Sequence, residues 1–157
     1  MQSSVRIRRA RPADAAAIAE VLKQAFAEFE AWYTPQGFAA TTPDGHQIAR
    51  RLEEGPGWVA LCDEQIVGTA SAILDSDQGL YVRGVAVTPS LRGKGLARLL
   101  MNEVEGFAKQ NACSRMFLTT TPFLDSAIRL YERLGFIRDG ADDLFGTPLI
   151  RMEKRLT

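Results

Sequence analysis

The 157-residue chain is 46% hydrophobic and 24% charged, the composition of a globular domain long enough to bury a real core. Nineteen basic and nineteen acidic residues cancel, so no net field gathers nucleic acid or anionic lipid at long range. The two cysteines, Cys62 and Cys113, lack metal spacing, and neither an apolar leader nor an apolar run of about 18 residues is present, so reduced thiols in a cytoplasmic protein are expected.

Val5 to Arg9 alternates and predicts a first strand, with Arg6, Arg8, Arg9 and Arg11 as charges on a solvated sheet edge. Asp14 is placed to cap a helix on which Ile18, Val21, Leu22, Ala25, Phe26 and Phe29 recur at helical spacing, fading near Trp32. Residues 32–38, aromatic but broken by Pro35 and Gly37, read as a loop, and a second helix is expected over His46 to Glu53, stopped by Gly55-Pro56-Gly57. Trp58 to Cys62 and Gln65 to Leu74 form a hairpin around Asp63-Glu64. After a turn at Asp75 to Gly79, Leu80 to Val87 reads as a buried strand that ends at Thr88-Pro89. Leu96, Leu99, Leu100, Val104 and Phe107 then mark an amphipathic helix. Arg115 to Thr120 is a short strand parallel to the one before that helix. A helix over Phe123 to Leu134 stops at Gly135, and closing strands at Phe136 to Arg138 and Leu149 to Lys154 are joined by an acidic loop from Gly140 to Gly146.

Between the central strand and its helix lies Ser90-Leu91-Arg92-Gly93-Lys94-Gly95. Unpaired N–H groups and the positive end of the helix dipole meet there, which makes an anion site. Gly93 and Gly95 let the main chain approach a bulky anion, and Arg92, Lys94 and Arg98 add positive charge. A nucleotide-triphosphate loop is excluded, because Leu96-Ala97 stands where Lys-Ser/Thr is needed. A dinucleotide fingerprint is excluded because its third glycine is missing.

What remains, Arg-x-x-Gly-x-Ala from Arg92 to Ala97, resembles the pyrophosphate signature of the GNAT superfamily of acetyl-CoA-dependent N-acetyltransferases. Val85-Ala86-Val87-Thr88-Pro89 resembles that family's strand and its proline exit. Residues 126–136, SAIRLYERLGF, resemble its second signature, a Tyr-bearing helix ending in Gly-Phe, and the likeness covers essentially the whole chain. It implies an α/β fold in a single N-acetyltransferase domain, residues 1–157. The expected architecture is a mixed, mostly antiparallel central sheet of six to seven strands with about four helices, two neighbouring strands being parallel and splayed at the cofactor site.

The resemblance further implies acetyl-CoA as cosubstrate, without a metal. The main chain of Val85, Ala86 and Val87 would bind it together with Arg92, Gly93, Lys94, Gly95, Leu96, Ala97 and Arg98. The acetyl group would pass to a primary amine by direct attack, with the Val85 N–H as oxyanion donor and Tyr131 serving the departing thiolate. Two departures stand out. Leu124 occupies the place of a cofactor-contacting Asn, and Tyr81 the place of a Glu base. The base is left open between water relayed from Glu28, Glu30 or Asp75 and an amine that arrives deprotonated.

In the resembled family the acceptor enters between the segment joining the first two helices and the segment before the last strand. Here these hold Glu28, Glu30, Trp32, Tyr33 and Phe38 on one side and Asp142, Asp143 and Phe145 on the other, which suits a cationic amine. The expected partner is a small amine rather than a protein, with a homodimer as one assembly and neither nucleic acid nor membrane involved. His46 reads as a surface or capping residue. The alternative function is a non-catalytic acyl-CoA-binding regulatory module of the same fold.

Overall fold

The computed structural model describes residues 4–157. Seven strands form one sheet: β1 (Val5–Arg9), β2 (Gly57–Cys62), β3 (Gln65–Leu74), β4 (Gly79–Val87), β5 (Arg115–Thr120), β6 (Ile137–Leu144) and β7 (Thr147–Arg155), in the order β1-β2-β3-β4-β5-β7-β6. All pairs are antiparallel except β4–β5. Five α-helices accompany them: α1 (Ala15–Phe26), α2 (Pro35–Thr41), α3 (Gly45–Glu54), α4 (Leu96–Gln110) and α5 (Asp125–Arg133), with a 3-10 segment at Ala27–Trp32.

The strand period divides the core in two. Along β2, Trp58 and Ala60 pack with α4, whereas Val59 and Leu61 pack with α1 and α3, and all four are at most 3% exposed. On α4, Leu96, Leu100, Met101, Val104 and Ala108 are buried, while Leu99 turns out to solvent and Phe107 is half-buried. Each large side chain so buried contributes roughly 1.5–3 kcal/mol. Sheet and helices are thereby fixed on both faces.

Three expectations are corrected. Residues 35–41 are helix rather than loop. Pro35 occupies the first helical position, where its missing N–H costs nothing, and the Thr34 hydroxyl caps it by accepting from Gly37 N at 3.0 Å. Gly37 is there for space, since a methyl on it would lie 2.4 Å from Thr147 Oγ1. Residues 140–144, expected as an acidic loop, extend β6 along the sheet edge. The joint to β7 shrinks to Phe145-Gly146 at φ 50° and 93°, and the edge is charged, as exposed edges commonly are. Asp14 does not cap α1 through its side chain; its carboxylate accepts from Arg8 at 2.7 and 3.1 Å and from Arg11 N at 2.8 Å.

Candidate active site

Strands β4 and β5 pair only over Gly79–Tyr81 and Arg115–Phe117. Beyond Tyr81 and Phe117 they part, so β4 from Val82 to Val87 has no β5 partner, while β5 stays paired to β7 along its whole length. The other edge of β4 is interrupted as well. Its register against β3 slips between Arg83↔Ser71 and Ala86↔Thr69, leaving Gly84 and Val85 opposite Ala70 as a β-bulge. Gly84 takes φ +65°, which a side chain resists. Val85 therefore has no register partner on either side, and it lines the wedge.

At the carboxyl end of β4, Pro89–Leu91 makes one 3-10 turn before the glycine loop. Gly93 and Gly95 adopt φ 77° and 80°, and nothing lies within 4 Å of a methyl built on either. Gly95 stands before α4 without a side-chain cap, so the first N–H groups of this 15-residue helix face open space. The loop's most engaged side chain is Arg92, which ion-pairs with Glu28 and donates to Ala25 O at 2.6 Å.

The wedge widens into a cleft of ≈ 1270 Å³ that runs from the glycine loop past the bulge to α3 and β6. Over it lies an aromatic roof in which Phe123 is the hub, at 5.9 Å from Phe29, 5.2 Å from Trp32 and 5.0 Å from Tyr33 between ring centres. Tyr131 on α5 lines the cleft, packed at 5.8 Å against Phe136. Burial pushes its hydroxyl far above the ordinary phenol range, and burial also raises Tyr33.

Of the residues named from sequence, Val85, Ala86, Val87, Arg92, Gly93, Gly95, Leu96, Ala97, Arg98 and Tyr131 line one cleft, as do Tyr33 and Asp142. Lys94 lies outside its lining. Glu28 is engaged by Arg92, and Glu30 is exposed outside the cleft. His46 is exposed on α3. Among the described residues, no group of three or more His, Cys, Asp or Glu is arranged to hold a metal, and no helix is long and apolar enough to cross a membrane.

The model of the acetyltransferase (GNAT) family matches residues 18–136, from α1 through the bulge and the glycine loop to the Gly-Phe that follows α5. The chain belongs to the GNAT acetyltransferase family. It is 37% identical over 92 residues to the N-acetylaspartate synthetase of Danio rerio, covering 58% of this chain and 33% of that protein. It thus spans about a third of the length of the N-acetylaspartate synthetases it matches. Over 162 aligned positions it is 32% identical to the streptothricin acetyltransferase of Streptomyces lavendulae, with 89% and 85% of the two chains covered. Among solved structures, yncA of Salmonella typhimurium with acetyl-CoA superposes at a TM-score of 0.76 and 26% identity, over 98% of this chain and 94% of that one.

Within this GNAT frame, the cleft residues that sequence reasoning missed include Arg51, Arg83, Thr121 and Phe123. Thr121 Oγ1 is buried with no hydrogen-bond partner. The period of α3 sets Arg51, three residues after Ile48, nearer the inner face than its exposed neighbour Arg50, and that was the available signal for it.

Proposed function

We propose that the chain is an N-acetyltransferase that moves an acetyl group from acetyl-CoA to a primary amine, with residues 1–157 acting as one catalytic domain. The observation that carries this is the coincidence of the β4 bulge and splay with the bare glycine loop at one end of one cleft. The residues fit the cosubstrate. A cradle of Gly93 and Gly95 that a side chain would fill suits a pyrophosphate, and strand positions without a register partner, Gly84 and Val85, suit an amide-rich arm.

When bound, acetyl-CoA supplies a thioester carbon open to attack by an amine. The main chain of Arg92 to Leu96, with Arg98, holds its phosphates at the start of α4. The Val85 N–H donates to the charge that develops on the acetyl oxygen. Tyr131 keeps its proton at neutral pH because it is buried, and offers a hydrogen bond to the departing sulfur. A thiol of pKa about 8.5 needs no stronger acid. Tyr33 and Asp142 are the sequence-named residues that meet the acceptor.

The acceptor is a small amine in this reading, consistent with relatives named for N-acetylaspartate and streptothricin. The free thiols of Cys62 and Cys113 support a cytoplasmic setting. Thiol release from acetyl-CoA, followed against pools of amino acids, polyamines, aminoglycosides and short peptides beside an acetyl-CoA titration, tests the proposal. Release stimulated by one pool is the expected result. Tight binding without stimulated release favours the regulatory module instead.

A further inference from the structure

The cleft holds a cation that the acetyl-transfer reading does not use. Arg51, on α3, is half-buried, and its Nη1 lies 3.8 Å from the place a methyl on Gly84 would occupy, so the guanidinium sits against the bulge. Among the described residues no carboxylate comes within 4.0 Å of it, and its bond to Ala40 O is long at 3.4 Å. Its charged neighbours are Arg83, which opposes its charge, and Glu54, which favours it from a distance but is bonded to Arg83 at 2.7 Å. A guanidinium cannot shed its proton, and burying one without a counter-charge is costly. Burial and Arg83 both disfavour its charge, yet the fold keeps it beside the reacting position.

We propose that the acceptor amine carries a carboxylate and that Arg51 receives it. This rests on the transferase reading. The anion does not come from the cosubstrate, whose phosphates belong at the glycine loop on the far side of Val87 and whose thioester end is uncharged. The planar fork of Arg51 matches a carboxylate with two parallel bonds. Across the cleft Asp142, whose cross-strand partner Leu149 also lines it, faces the same space, so an amino-acid-type acceptor finds a counter-charge for each of its groups. The sequence suggested residues suited to a cationic amine, but that rested partly on Glu28, which Arg92 occupies, and on Glu30, which lies outside the cleft.

The test uses matched pairs: L-amino acids, their carboxamides, and polyamines, each assayed by thiol release and, independently, by calorimetric binding to the protein with CoA present. We expect the acids to be used about ten- to a hundredfold better than the carboxamides, the loss associated with a hydrogen bond to a charged group. In Arg51→Gln that ratio should collapse towards one through KM, with acetyl-CoA affinity unchanged, and Arg51→Lys should restore part of it. Equal use of acids and carboxamides by the wild type overturns the proposal whether or not the variant folds. So does an Arg51→Gln defect in kcat that is the same for both acceptors, which would put Arg51 on the acetyl oxygen. If no amine releases thiol, the transferase reading fails, and binding decides this one separately: acids bound over carboxamides uphold it, and no preference overturns it.

Discussion

Arg92 is held by Glu28: the first cation of the glycine loop ion-pairs with a carboxylate just beyond α1 and donates a second bond to the Ala25 carbonyl at 2.6 Å. The loop is thus tied to the helix that walls the cleft, and Arg92 must give up or share that partner to meet a phosphate.

Glu28→Gln should therefore tighten acetyl-CoA binding by a few-fold, since it releases Arg92, while changing stability by less than about 0.5 kcal/mol because the pair is exposed. Arg92→Glu should weaken binding at least about tenfold, from the loss of a charge-assisted bond and the gain of repulsion. Calorimetric titration and thermal melts measure both. Unchanged affinity in the two variants would show that Arg92 belongs to the α1 contact alone.

Tyr131→Phe should lower turnover about ten- to a hundredfold, the worth of one hydrogen bond to a charged group, and leave acetyl-CoA affinity nearly intact. Because burial raises the Tyr131 hydroxyl, its ionisation contributes no alkaline fall in rate up to about pH 10, the ordinary phenol value. The rate should instead climb with pH as the amine loses its proton. The same shift has a sign for stability. Above pH 10 the unfolded chain's phenol ionises first, so stability falls with rising pH, and Tyr131→Phe should lack that part of the fall. Alkaline limbs of kcat/KM and of Tm in both proteins check the pair of statements.

How far the sequence could be read follows from where each signal resides. The central strand, its glycine loop and α4 are local: Val-rich residues, a proline stop and a 3.6-residue apolar period each state their own conformation. Pro35 and Gly37 misled because the same residues that break a helix also begin one or permit close packing, and only Thr147, 110 residues on from Gly37, tells which. Residues 140–144 carry poor strand propensity and became β6 through pairing with β7. The role of Arg51 was invisible because it lies in the carboxylate that residue lacks, which is a property of three-dimensional neighbours. Tyr131 was legible through its motif, and its burial was not.

Asp14 makes a prediction about acid stability. Its carboxylate, buried against two guanidinium N–H groups of Arg8 and the Arg11 N–H, is held below the usual Asp range chiefly by the Arg8 hydrogen bonds. A lowered folded pKa means the stabilisation is whole above the unfolded value of about 3.9 and is lost as pH falls from there through the folded one. Asp14→Ala should cost about 2–4 kcal/mol at pH 7, since it also strands the charge of Arg8, whose Nε is already without a partner. Urea midpoints of the two proteins should converge as pH drops below 4.

Gly84 connects backbone to chemistry most directly. At φ +65° it carries the bulge that leaves Val85 unpaired, and a methyl there would meet no atom closer than 3.7 Å. Space is thus not the constraint; conformation is. Gly84→Ala should cost about 1–2 kcal/mol if the left-handed geometry survives. If instead the strand relaxes into regular pairing with β3, the Val85 N–H is taken up by that pairing and the proposed oxyanion donor is lost, a change associated with about a hundred- to a thousandfold in kcat. Amide exchange at Val85 separates the outcomes: fast exchange with retained activity means the bulge persists under strain. Protection at Val85 with lost activity would tie the bulge itself to catalysis, and protection with activity intact would remove Val85 from the mechanism.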